Sequence, residues 1–231
     1  MLFTACGRPH PSNSRLDGFV NTAVLWPNPQ AIPVCWINLN EVDVEVPQTI
    51  ESALQDSYQT FTNVRFTGFE SCRAEDLAQK YMIKVLFKRL TRDWAQIVPN
   101  ALLGGMSFIG PNEEDFKDSF PESTTMVLYT SVNGNLPPIG DAWRENAIKL
   151  HRNIAMHEFG HALGLEHEHL RPDAPSCTAD ARQPLTEKRA YVGSYDPDSI
   201  MSYCRHRFAT NITVLDIEAV NFLYPSKVEG N

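Results

Sequence analysis

The chain reads as an α+β protein, and three observations carry that reading. Short β-rich runs cluster ahead of position 130, one long helical pattern follows them, and a mostly irregular stretch then closes on a second, shorter helical pattern. Residues 1 to about 30 are rich in Pro, Ser and Asn with little apolar periodicity, which predicts an arm laid on a domain or hanging off it. Residues 32–37 predict a strand. Pro47 with Ile50, Leu54, Tyr58 and Phe61 at helical spacing then predicts one amphipathic helix. The runs 64–69, 81–87, 106–109 and 125–129 are β-branched and aromatic, so a sheet of about five strands is expected. The long helix should start near Asp141, a suitable N-cap, and stop at Gly164, a residue suited to a left-handed C-terminal turn. Beyond it only 214–224 returns to helical spacing, with no internal repeat and no low-complexity tract anywhere.

The size of the chain, 231 residues, allows a substantial buried core in one domain or two small lobes. With 20 Lys+Arg against 28 Asp+Glu, the net charge of -8 disfavours a broad nucleic-acid face, because phosphate binding draws on clustered cations. No run of about 18 apolar residues is present, so no transmembrane segment is expected. Five cysteines are widely spread without a Cys-x-x-Cys pair, which argues against a zinc ribbon and favours two disulfides plus one odd thiol in an oxidising compartment.

Chemistry concentrates in His157-Glu158-Phe159-Gly160-His161-Ala162-Leu163-Gly164-Leu165-Glu166-His167. Two imidazoles four residues apart lie one helical turn apart on one face and can share a metal ion. Gly164 lets the backbone leave the helix abruptly, so His167 can swing back as a third ligand. Three neutral nitrogens leave one position of a tetrahedral Zn2+ open, as in catalytic rather than structural zinc sites. The remaining histidines, His10, His151, His169 and His206, have no partner at ligand spacing and are read as solvated or structural.

This long zinc signature resembles that of the metzincins, which pair it with a downstream Met-turn. Ser199-Ile200-Met201-Ser202-Tyr203 resembles the Met-turn of the astacin family, and His167-Glu168-His169-x-Arg171-x-Asp173 resembles that family's extension past the third ligand. Residues 215–224 and Leu25-Trp26-Pro27-Asn28 are also similar to the family, though Ala174-Pro175 departs from its usual continuation. The resemblance implies a two-lobed metzincin fold: a twisted five-stranded mixed sheet with two long helices, over a loop-rich C-terminal lobe with a final helix. It implies a catalytic unit over 31–225, divided into an upper lobe 31–164 and a lower lobe 165–225, preceded by an arm or pro-segment remnant at 1–30. It further implies a zinc-dependent endopeptidase acting on protein or peptide substrates. His157, His161 and His167 would hold zinc, Glu158 would act as general base, and Tyr203 would stabilise the oxyanion. Met201 would pack beneath the histidines, Glu168 would face the matured N-terminus as it does in the family, and strand 104–109 would pair with extended substrate.

Two alternatives accompany that expectation: a zinc-containing binding module without turnover, which retention of Glu158 argues against, and a latent zymogen. Cys6 could reach the open zinc position, could be an acylated lipoprotein cysteine on a tether, or could be a spare thiol. Cys177 and Cys204 bracket two segments that must both stay near the metal and are expected to be bridged, which leaves Cys35 with Cys72. A secreted or cell-surface location follows from this reading.

Overall fold

The computed structural model describes residues 18–89, 105–111, 123–130, 144–175, 188–203 and 211–226. Cys6, His10, Gly104, Asp141, Cys177, Cys204 and His206 lie outside them. The strands are β1 (Gly18–Asn21), β2 (Ile32–Trp36), β3 (Phe66–Ser71), β4 (Ile83–Arg89), β5 (Gly105–Ser107), β6 (Met126–Thr130) and β7 (Arg189–Val192). The helices are α1 (Glu45–Leu54), the single turn α2 (Ala74–Leu77), α3 (Arg144–Ala162) and α4 (Val214–Leu223).

Five strands form one mixed sheet in the order β3-β2-β4-β6-β5. The first four run parallel and β5 is antiparallel to β6. The expected α+β class and five-stranded sheet are therefore present. Central strands buried on both faces read as continuous apolar runs: Val34, Cys35 and Trp36 in β2, and Met126, Val127 and Leu128 in β6, are all buried. Against them pack α1 through Val46, Ile50, Ala53 and Leu54, and α3 through Ile154, Ala155, Phe159 and Ala162. Side chains of this kind contribute about 1.5–3 kcal/mol each when fully buried.

The sequence predicts one regular helix from Pro47 through Phe61, and the structure differs. A π-helical turn at Gln55–Gln59 follows α1. The wider turn shifts the side-chain phase by one residue: Tyr58 stays fully buried as expected, but Thr62 takes the inward place expected of Phe61, which is 55% exposed. The Tyr58 hydroxyl then donates to the carbonyl of Met156 on α3 at 2.9 Å.

The expected Cys35–Cys72 disulfide ties β2 to the chain just after β3, across a separation of 37 residues. Chain-entropy reasoning gives about 4 kcal/mol for a loop of that size.

Below the sheet, residues 18–30 of the expected arm are laid on the body of the protein. β1 pairs antiparallel with β7, and Phe19 and Val20 are buried. A short strand in a polar context carries almost no periodic signal, so the sequence does not announce this pairing. The final helix α4 packs on β1 closely enough that a Cβ on Gly18 would lie 2.5 Å from that of Ala219.

Candidate metal centre

The end of α3 is built to stop. Gly164 takes φ +100, which only glycine adopts readily, and its N–H closes back on the His161 carbonyl at 2.8 Å. The last carbonyls of the helix receive donors from distant parts of the chain. Gly110 N–H donates to His161 at 2.9 Å, the Trp26 indole to Ala162 at 2.6 Å, and the Tyr224 hydroxyl to Leu163 at 3.0 Å. The chain then turns under the helix, and His167 comes back toward His157 and His161.

The three imidazoles meet through their Nε2 atoms. His157 lies 3.3 Å and His161 3.1 Å from His167. The two helical histidines each spend Nδ1–H on a backbone carbonyl, His157 on Ile200 and His161 on Leu165, both at 2.8 Å. That choice of tautomer leaves a lone pair on each Nε2, aimed at its neighbours. Lone pairs in such contact repel unless a proton or a cation lies between them. Burial disfavours the proton: it pulls His157 down to about 4, His161 to about 3 and His167 well below its ordinary value. A cation is the remaining solution, and nitrogens bound tetrahedrally to zinc at about 2.0–2.1 Å stand about 3.3 Å apart, close to the spacing seen here. The donor set therefore fits zinc, and this is the histidine group with metal-binding spacing among the described residues.

The other expected residues gather around this cluster. The Tyr203 hydroxyl lies 3.1 Å from Nε2 of both His157 and His167, and Tyr203 is 43% exposed, so the phenol forms the open lip of the site. Met201 is buried, with its sulfur 2.7 Å from where a Cβ on Gly160 would stand, so it packs on the helix turn between His157 and His161. Glu158 is buried against β5, and burial raises its carboxyl to about 8. A Cβ on Gly105 would fall 2.5 Å from Glu158 Cγ, so the glycine makes room for this carboxylate.

A network of buried polar groups, not anticipated from sequence, holds the Met-turn under the metal helix. Asp216 of α4 accepts from the Ser199 hydroxyl at 2.6 Å and from the N–H groups of Ile200 and Thr213 at 3.0 and 2.9 Å. Ile200 in turn supplies the carbonyl that orients His157. Arg171 is 0% exposed and grips Asp173 with two bonds of 2.8 and 2.9 Å, Glu168 at 3.1 Å and the Gly193 carbonyl at 2.7 Å. Glu168, which the resemblance sets opposite an N-terminus, here takes Arg171 and the Asp196 N–H at 3.0 Å as partners. The only general hint in the sequence is the presence of charged residues in segments that otherwise read as buried. Of the histidines given no role, His151 is a buried helix residue whose Nδ1 meets the Ala147 carbonyl at 2.7 Å. His169 is also buried, with its ring against Tyr203 and His167.

Residues 114–228 match the Astacin peptidase family. That stretch, just under half of the chain, contains all three histidines of the cluster and is similar to the astacin peptidases. Bone morphogenetic protein 1 of Xenopus laevis is 34% identical to the chain in an alignment of 88 residues that covers 31% of it. The astacin-like chain spans only 12% of that relative's length. The solved structure of myroilysin shares the fold, with a TM-score of 0.58 at 18% identity, covering 90% of this chain and 98% of that one.

Proposed function

We propose that this protein is a zinc-dependent endopeptidase that hydrolyses internal peptide bonds of extended protein substrates. The observation that carries the reading is the convergence of three Nε2 lone pairs, fixed by carbonyl acceptors, beside a buried carboxylate on the same helix. His157, His161 and His167 would hold zinc, which in such a site supplies Lewis acidity that acidifies water and polarises a carbonyl. Glu158 takes the proton of the attacking water and delivers it to the leaving amine; with its carboxyl raised to about 8 by burial, it is a strong enough base to hold that proton between the two transfers. The Tyr203 phenol donates to the oxygen that becomes negative as the carbonyl carbon turns tetrahedral. Substrate enters as an added antiparallel strand along β5, the edge strand beside Glu158 in the described sheet, so main-chain hydrogen bonds give affinity and side-chain subsites give preference. The Cys35–Cys72 disulfide supports an extracytoplasmic location. Among the described residues no helix is long and apolar enough to cross a membrane.

The reading is tested with Glu158→Gln, which keeps the shape of the side chain and removes the base. Zinc content measured by elemental analysis should stay near one per chain. Cleavage of a quenched peptide should fall about 10²–10⁴-fold, and a chelator should abolish what the unaltered protein does. A Glu158→Gln protein within tenfold of the original rate would remove Glu158 from the mechanism.

A further inference from the structure

The segment following the third histidine and the Met-turn meet along two hydrogen bonds. Glu168 N–H donates to the Met201 carbonyl at 3.1 Å, and Tyr203 N–H donates to Nδ1 of His169 at 3.4 Å. His169 sits in the 3-10 turn Glu168–Leu170 and is only 3% exposed. Its ring lies 4.8 Å from that of Tyr203 and 5.0 Å from that of His167. Tyr203 in turn lies 4.8 Å from His167 and 5.3 Å from His157, nearly parallel to the latter at 18°.

We infer that His169 is a positioning residue for Tyr203, holding the Tyr203 backbone through Nδ1 so that the phenol oxygen stays beside the ligand histidines; the inference rests on the role proposed above for Tyr203. The physical need is leverage. The phenol oxygen stands about 6.5 Å from its Cα, so a tilt of about 10° at the backbone carries it about 1 Å, a misplacement that can cost on the order of a hundredfold in rate. Tyr203 is half open to solvent, and covering walls on one side cannot by themselves fix such a lever. A buried acceptor at the root of the side chain can. Accepting from an N–H requires a lone pair on Nδ1, which places the His169 proton on Nε2 and makes the imidazole a one-way acceptor toward Tyr203. The neighbouring bond from Glu168 to Met201 sets the register of the two segments, and the bond to His169 sets where Tyr203 leaves it. No spacing cue in the sequence marks this histidine, since its partner lies 34 residues away and the contact is to a backbone atom.

The test uses two variants, His169→Asn, whose Oδ1 takes the place of Nδ1, and His169→Phe, which keeps a ring and removes the acceptor. Each is made alone and with Tyr203→Phe. Amide exchange at Tyr203, followed by NMR in the metal-free protein, should speed up about tenfold or more in His169→Phe and return toward the original in His169→Asn. With zinc restored, His169→Phe should lower kcat about 10–100-fold with KM within about threefold, and His169→Asn should recover most of the loss. In the Tyr203→Phe background the same change should cost less than about threefold, because the lever has nothing left to aim. Unchanged exchange at Tyr203 in His169→Phe, or equal losses of kcat with and without the Tyr203 hydroxyl, would overturn the inference. A protein that shows the exchange effect but cleaves no peptide in its original form would instead overturn the endopeptidase reading.

Discussion

The sheet side of the molecule and the Met-turn side are held together by different forces. Between β2, β3, β4, β6, α1 and α3 the contacts are aliphatic and aromatic: Trp36 against Phe69 and Phe87, Phe66 edge-on to Phe159, and Ile50, Leu54 and Ile83 buried. Around Ser199–Tyr203 the buried contacts are directional, running through Asp216, Ser199, Arg171, Glu168 and Asp196. Apolar packing fixes shape and tolerates small shifts; a hydrogen bond or buried ion pair fixes an angle and fails when one partner is removed. The metal helix lies between the two. Its position comes from the first kind of contact, and the orientation of its His157 ring comes from the second.

The sharpest test of that contrast is a pair of deletions. Arg171→Met leaves Glu168 without its counter-charge in a buried setting and should cost about 3–5 kcal/mol of stability, read by urea unfolding. It should also weaken zinc binding. Ile50→Ala should cost about 2–4 kcal/mol by leaving a cavity, yet leave the zinc affinity of the folded protein within about twofold. Equal effects of the two on zinc affinity would erase the distinction.

Acidity offers a second probe. Burial raises Glu158 to about 8 and Glu168 to about 7, above the ordinary carboxylate value. A raised folded value means that stability is fully present below the unfolded pKa near 4.5 and is lost as pH rises toward the folded one. The histidines run the other way: with His157 and His161 lowered to about 4 and 3, stability is present above their unfolded value near 6.5 and lost as pH falls through the folded values. His167 is lowered as well, so between those two unfolded values the ligand histidines outweigh the two carboxyls. The metal-free protein should therefore be most stable close to about pH 6.5, and should lose on the order of 2 kcal/mol from Glu158 between about pH 6.5 and 8. Thermal melts with and without zinc across this range check it; a metal-free stability that climbs over that interval would contradict the assignment.

The smallest expected effect is the most local. Asp216→Asn keeps the packing of α4 but weakens the bonds to Ser199, Ile200 and Thr213, and so loosens the carbonyl that orients His157. Zinc affinity should drop about tenfold, with little loss of peptide affinity in the protein that remains loaded. An unaltered zinc dissociation constant would show that Asp216 holds the fold and not the ligand.

What can be read in advance follows the same divide. Ligands four apart on a helix, and strands rich in Val, Ile and Phe, announce themselves because local period and local composition carry the information. Phe61 misleads because a single π turn breaks the period on which it is counted. The pairing of β1 with β7, the Asp216 network and the His169 contact stay hidden because each joins residues distant in the chain with no periodic pattern, whereas Arg171 meets Glu168 and Asp173 within one short motif and only its bonds to the Gly193 and Ser194 carbonyls are distant. Asp216 and Ile200 are 16 residues apart, and nothing in either segment names the other.

The capping of α3 bears on the order of events during synthesis. Its last carbonyls are closed by Trp26, Gly110 and Tyr224, so the third of these arrives 61 residues after Leu163 has been added. Until α4 emerges and docks, the turn that carries His161 lacks one of its end locks, and the Met-turn lacks Asp216. A chain that ends before Tyr224 would lack that lock, so His167 and the Met-turn are expected to settle beside the His157–His161 pair only once α4 docks. The pocket formed by the three histidines would then be completed by α4 and not by the segment that carries them.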